Sequence, residues 1–142
     1  MTSVLFLCTH NSCRSQLAEA LMNHYAGDEI RASSAGTKPA FVHPLAVKVL
    51  QELGIDTAPL RSKGLEEFGR QEFDYAITLC ADAEQACPVF FGKTKRVHIG
   101  FENPTKYGGS EEERLAVFRR LRDEIRERLM AYFKEEGVIQ AA

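Results

Sequence analysis

Apolar residues fall along the chain in two rhythms. Val4–Cys8 (VLFLC) is a continuous apolar run, which predicts a strand buried on both faces. From Arg14 to Ala26 the apolar positions Leu17, Ala18, Leu21, Met22 and Tyr25 recur at helical spacing, and Gly27 ends the helix. Ile30–Ser34 reads as a second strand stopped by Gly36. Pro44 suits a first helical turn, with Ala46, Val49, Leu50 and Leu53 marking one face up to Gly54. Residues 56–72 read mostly as loop, with a short helix near Leu65–Phe68. Asp74–Cys80 (DYAITLC) is a third buried strand, Ala81–Cys87 a short helix broken by Pro88, and Arg96–Ile99 a fourth strand. After a loop over 100–109, Ser110 and Glu113 form a capping box for a long helix. Its apolar stripe runs Leu115, Phe118, Leu121, Ile125, Leu129 and Tyr132, and Gly137 closes it.

Strands alternating with helices predict one α/β domain over residues 1–142, with a four-stranded parallel sheet between helical layers. In such folds ligands bind outside the carboxyl ends of the strands, near the point where strand order reverses. Cys8 and Cys80 both fall at predicted strand ends, so neighbouring first and third strands would bring the two thiols into one crevice.

Composition adds exclusions. With 44% apolar and 27% charged residues in 142, a normal core forms, and a net charge of −2 argues against a nucleic-acid or anionic-membrane partner. No apolar run approaches the ~20 residues of a membrane span, and Val4–Cys8 lacks the basic flank of a signal peptide. A cytoplasmic monomer is expected. In a reducing compartment the four cysteines, at 8, 13, 80 and 87, point to catalysis, redox chemistry or metal binding rather than structural disulfides. Neither pair is C-x-x-C, and Arg14 beside the first would repel a metal cation, so no metal is expected.

The segment Cys8-Thr9-His10-Asn11-Ser12-Cys13-Arg14-Ser15 lies between a buried strand and a helix start. Such a loop can wrap the backbone N–H groups of residues 9–14 around a tetrahedral oxyanion, with the helix dipole adding positive potential. Arg14 supplies a bidentate fork for two of the oxygens. Cys8 lies on the floor, where the same donors favour a thiolate nucleophile. Ser15 is placed to donate a hydrogen bond to that sulfur, and Asn11 tolerates the left-handed backbone that the loop needs. His10 is expected to point to solvent, and His24, His43 and His98 to be structural or surface residues.

The run C-T-H-N-S-C-R-S-Q-L-A-E resembles the anion-binding loop of the low-molecular-weight protein tyrosine phosphatase superfamily, whose fold is flavodoxin-like. The likeness extends to Ser33-Ser34-Ala35-Gly36, to Cys80-Ala-Asp-Ala-Glu-Gln-Ala-Cys87-Pro88 and to the 98–104 loop. The cysteines at 80 and 87 are similar to those of its thioredoxin-coupled arsenate reductase branch. That resemblance implies that Cys8 attacks arsenate, Cys80 attacks Cys8 and releases arsenite, and Cys87 carries the disulfide outward to thioredoxin. Cys80 and Cys87 would stand about 10 Å apart along a helix, whereas a disulfide needs Cα atoms within about 7 Å. The 81–87 segment must therefore unwind when they pair. The alternatives are a phosphatase using Cys-x5-Arg alone, and a non-catalytic thiol sensor or scavenger of arsenite.

Two departures stand out. The family's Asp-Pro is here Asn103-Pro104, and Asn103 cannot donate a proton as an acid; Glu102 is the neighbouring substitute. Some of these reductases hold potassium behind the loop. Asn11, Glu19 and Ser34 match that pattern, and Arg61 is expected to replace the cation by pairing with Glu19. No tightly bound cofactor is expected beyond thioredoxin as reductant.

Overall fold

A computed structural model describes residues 1–69, 71–81 and 94–140. Four strands, β1 (Thr2–Cys8), β2 (Ile30–Gly36), β3 (Tyr75–Thr78) and β4 (Lys95–His98), form one parallel sheet in the order β2-β1-β3-β4. The described residues also form three α-helices, α1 (Arg14–Tyr25), α2 (Pro44–Gln51) and α3 (Glu111–Glu135), and short 3₁₀ turns at Leu65–Phe68, before β3, and Pro104–Lys106, after β4. The helix expected over Ala81–Cys87 lies, but for Ala81, outside the described residues.

The continuous apolar run of β1 is explained by its central place. Val4 and Phe6 face a core shared with α1, α2 and α3, while Leu5 and Leu7 face a second cluster with Ala35 and Phe73. All four are essentially inaccessible to solvent, and burial of each stabilises the fold by about 1.5–3 kcal/mol. The edge strand β4 is largely exposed.

Two details of the helices differ from expectation. On α3 the last buried position is Phe133 rather than Tyr132, because the step from Leu129 is four residues, following 3.6 per turn. Tyr25 is exposed at the end of α1, where the Arg126 guanidinium lies 5.2 Å from its ring centroid. The capping box of Ser110 and Glu113 is present at the start of α3.

The chain passes from β1 to β2 on one side and returns to β3 on the other. Strand order therefore reverses between β1 and β3, and Leu79 N–H extends the ladder to Leu7 C=O at 2.8 Å. Cys8 and Cys80 emerge side by side from that switch point and belong to one buried cluster.

Candidate active site

Residues 9–13 run from the end of β1 to the start of α1. The left-handed φ of 50° at Asn11 is unique among the described non-glycine residues, and it folds the loop back on itself. The carbonyls of Cys8, Thr9, His10 and Ser12 accept bonds from the N–H groups of Thr37, Lys38, Ala40 and His43 at 2.7–3.3 Å. Asn11 C=O accepts from Gln16 Nε2 at 3.0 Å. These bonds engage the loop's carbonyls with the chain around it, the arrangement that a loop needs if its own N–H groups are to serve an anion. Gly36 permits the close approach of β2, since a Cβ there would stand 2.7 Å from Thr9 O and 2.8 Å from Asn11 N.

Side chains beneath the loop hold Cys8 in place. Cys8 Sγ lies 2.8 Å from Ser15 Oγ. Asn11 Nδ2 donates to Ser15 Oγ at 2.7 Å and to Ser34 Oγ at 2.9 Å, while Asn11 Oδ1 accepts from Lys63 N–H at 2.9 Å. Ser15 Oγ accepts from the amide and keeps its own proton to donate to the Cys8 sulfur when that sulfur is a thiolate. The Asn11 side chain is thus buried behind the loop, and only its backbone can reach an anion. Arg14 Nη1 donates to Phe101 C=O at 3.1 Å, which holds the guanidinium at the mouth.

Thr9 turns its hydroxyl to Cys80 Sγ, 3.3 Å away. Both cysteines are buried, and neither is in a disulfide. Cys13 is buried as well, and burial pushes its thiol up to about 11, leaving it protonated near neutral pH. Cys87 lies outside the described residues.

Above Cys8 opens a cavity of about 290 Å³ lined by His10, Ser12, Arg14, Phe41, His43 and Asn103, among others. His10 is exposed, as expected, yet it lines this cavity and shares a 2.9 Å hydrogen bond between Nδ1 and Lys38 C=O. Phe41 stands 60% exposed at the rim, with its ring stacked 6.3 Å from that of His43. His43 caps α2 by accepting Leu45 N–H at Nδ1, so in the neutral ring Nε2 carries the proton. Burial, with a smaller contribution from the Arg114 charge, holds His43 below its ordinary value.

Asn103 accepts from both Thr105 N–H and Thr105 Oγ1 at its Oδ1, which leaves Nδ2 as a donor beside the cavity. Glu102 does not substitute for the missing acid. Its side chain pairs with Lys106, whose ammonium holds the carboxyl below the usual range, and it lines a separate cleft with Arg120.

The expected Arg61–Glu19 pair is not formed. Arg61 makes a two-pronged ion pair with Glu67 on the surface, at 2.9 and 2.6 Å. Its carbonyl, rather than its guanidinium, faces the loop and accepts from Gln16 Nε2 at 2.9 Å. Glu19 is instead paired with Lys63, Nζ to Oε1 at 3.4 Å, and accepts from Ser34 Oγ at 2.8 Å. Sequence reasoning missed Lys63, Phe41 and the place of His43 at the cavity; a lone aromatic in the loop between Gly36 and Pro44 was the available signal for Phe41.

A model of the low molecular weight phosphotyrosine protein phosphatase family matches residues 3–138. The chain belongs to this family. Within it, the arsenate reductase of Halalkalibacterium halodurans is 45% identical over 134 residues, covering 94% of this chain and 96% of the relative. A solved arsenate reductase in the phosphate binding state superposes with a TM-score of 0.75 at 29% identity, covering 95% of this chain and 98% of the other. A thioredoxin-dependent arsenate reductase of Corynebacterium glutamicum gives a TM-score of 0.68 at 32% identity, covering 92% of this chain and 61% of that one. The loop from Cys8 to Arg14 thus lies in a family in which both phosphatases and arsenate reductases occur.

Proposed function

We propose that this protein is an arsenate reductase working by a thiol relay. The observation that carries the reading is the 3.3 Å contact between Thr9 of the anion loop and Cys80, which supports a second thiol poised beside the nucleophile. Arsenate enters the cradle of loop N–H groups and Arg14. Cys8 sulfur attacks As(V), and an arsenate oxygen leaves as water. Cys80 sulfur then attacks Cys8 sulfur, and the Cys8–As bonding pair departs with arsenic as As(III). One arsenate and two thiols thereby give one arsenite, one disulfide and one water. Cys87 attacks Cys80, releasing Cys8 and forming Cys80–Cys87, which the thioredoxin dithiol reduces by exchange. Thioredoxin dependence draws support from the Corynebacterium glutamicum relative.

Asn103 suits this reaction better than ester hydrolysis. A water leaving group does not need the general acid that an alkoxide does, and general acid catalysis is worth ~10²–10⁴-fold. The Asn103 amide can still donate to an arsenate oxygen. Phe41 at the rim favours a second reading, in which an aryl phosphate is hydrolysed in the same cavity. The absence of an acid at 103 places it behind the first.

The test is NADPH oxidation with arsenate, thioredoxin and thioredoxin reductase, comparing wild type with Cys87→Ser. Multiple turnovers in wild type and about one or fewer in the variant are expected. No arsenate-dependent oxidation in wild type would overturn the reading, and release of nitrophenol from an aryl phosphate without thiol would then favour the phosphatase.

A further inference from the structure

Glu19 and Lys63 are the most enclosed ion pair described in this chain, with side chains only 13% and 11% exposed. They sit behind the anion loop. Lys63 Nζ lies 3.4 Å from Glu19 Oε1 and 3.3 Å from Arg61 C=O, so its ammonium rests among oxygen atoms as a small cation would. Its backbone N–H donates to Asn11 Oδ1 at 2.9 Å.

From this pair a directed chain of hydrogen bonds runs to the nucleophile. An ionised Glu19 can only accept, so Ser34 Oγ must donate to it, at 2.8 Å. Ser34 Oγ then accepts from Asn11 Nδ2, whose orientation is set by Lys63 N–H at the other end of the amide. The second Nδ2 proton goes to Ser15 Oγ, and the Ser15 proton is left for Cys8 Sγ. Lys63 therefore acts at both ends: its ammonium pairs with the Glu19 carboxylate, and its backbone orients Asn11.

The residues present do not fit potassium at this place. Glu19 already has its counter-charge, Asn11 Oδ1 and the Arg61 carbonyl are engaged, and an added cation would meet the resident ammonium. We propose that Lys63 is a built-in cation and a positioning residue for Cys8, which makes Cys8 reactivity independent of monovalent metal ions. This rests on Cys8 being the nucleophile and does not require arsenate as substrate.

The experiment follows alkylation of Cys8 by iodoacetamide at neutral pH, read by mass spectrometry, in sodium, potassium and choline chlorides. Wild type should react at the same rate in all three. Lys63→Met should react at least several-fold more slowly in choline and be accelerated by potassium, while Lys63→Arg should keep most of the wild-type rate. Potassium acceleration of wild type would overturn the inference without any variant, which covers the case of Lys63→Met failing to fold. A folded Lys63→Met that reacts like wild type, or whose loss no cation restores, would overturn it too. Failure of arsenate turnover with these alkylation rates as expected would count only against the reductase reading.

Discussion

Replacing Asn11 removes the hub of the loop between β1 and α1, and the size of the effect can be worked from its contacts. The side chain is fully buried and makes three hydrogen bonds, to Ser15, Ser34 and Lys63. At about 0.5–1.5 kcal/mol net for each, their loss in Asn11→Ala costs about 1.5–4.5 kcal/mol. The left-handed φ of 50° adds about 1 kcal/mol, because alanine cannot offset that conformation with a local side-chain bond. A total near 4 kcal/mol is a large share of the 5–15 kcal/mol that stabilises an ordinary domain. At about 2–4 °C per kcal/mol, the midpoint of thermal unfolding should fall by roughly 8–16 °C. Asn11→Gly separates the two causes. Glycine adopts the left-handed backbone freely but makes none of the bonds, so it should recover only about 1 kcal/mol relative to alanine. Calorimetry of the three proteins is the assay. An alanine variant that melts within about 3 °C of wild type, or a glycine variant that matches wild type, would refute the reasoning.

Three further outcomes follow from the same geometry. Ser15→Ala takes the donor from the Cys8 sulfur; at about 1.5–3 kcal/mol for a hydrogen bond to a charged group, Cys8 alkylation should slow by about 10- to 150-fold. Cys13→Ser should retain arsenate turnover within about threefold, under 1 kcal/mol in barrier, because a thiol pushed up to about 11 takes no part in exchange near neutral pH. His43 is held neutral in the folded chain, so the unfolded chain binds a proton there first. The stability it contributes is fully present above its unfolded value of about 6.5 and declines as pH falls below it. In His43→Asn, urea midpoints should lose that part of their pH dependence, and an unchanged profile would refute it.

The sequence was most legible where neighbouring residues act together. Val4–Leu7 could be read as a central strand because both its faces are buried, and the strand–Cys-x5-Arg–helix order needs only eight consecutive positions. That Cys8 and Cys80 share a crevice could be read only on the condition that the first and third strands are neighbours; the strand order supplies that condition, with Cys8 ending β1 and Cys80 two residues past the end of β3. Periodicity failed where an element leaves the core: Tyr25 sits on the apolar stripe of α1 but is its last residue and is exposed. The electrostatics behind the loop were illegible for a different reason. Glu19 and Lys63 are 44 positions apart, and Lys63 lies in a stretch without helical or strand rhythm to say which side chain points inward. Arg61, two residues away, offers the same charge and sends only its carbonyl to the site. A buried carboxylate left without a counter-charge costs several kcal/mol, so Glu19 must find a cation somewhere. Whether that cation is built into the chain or drawn from solution turns on one side-chain direction, which the backbone path from Leu60 to Gly64 sets and composition does not.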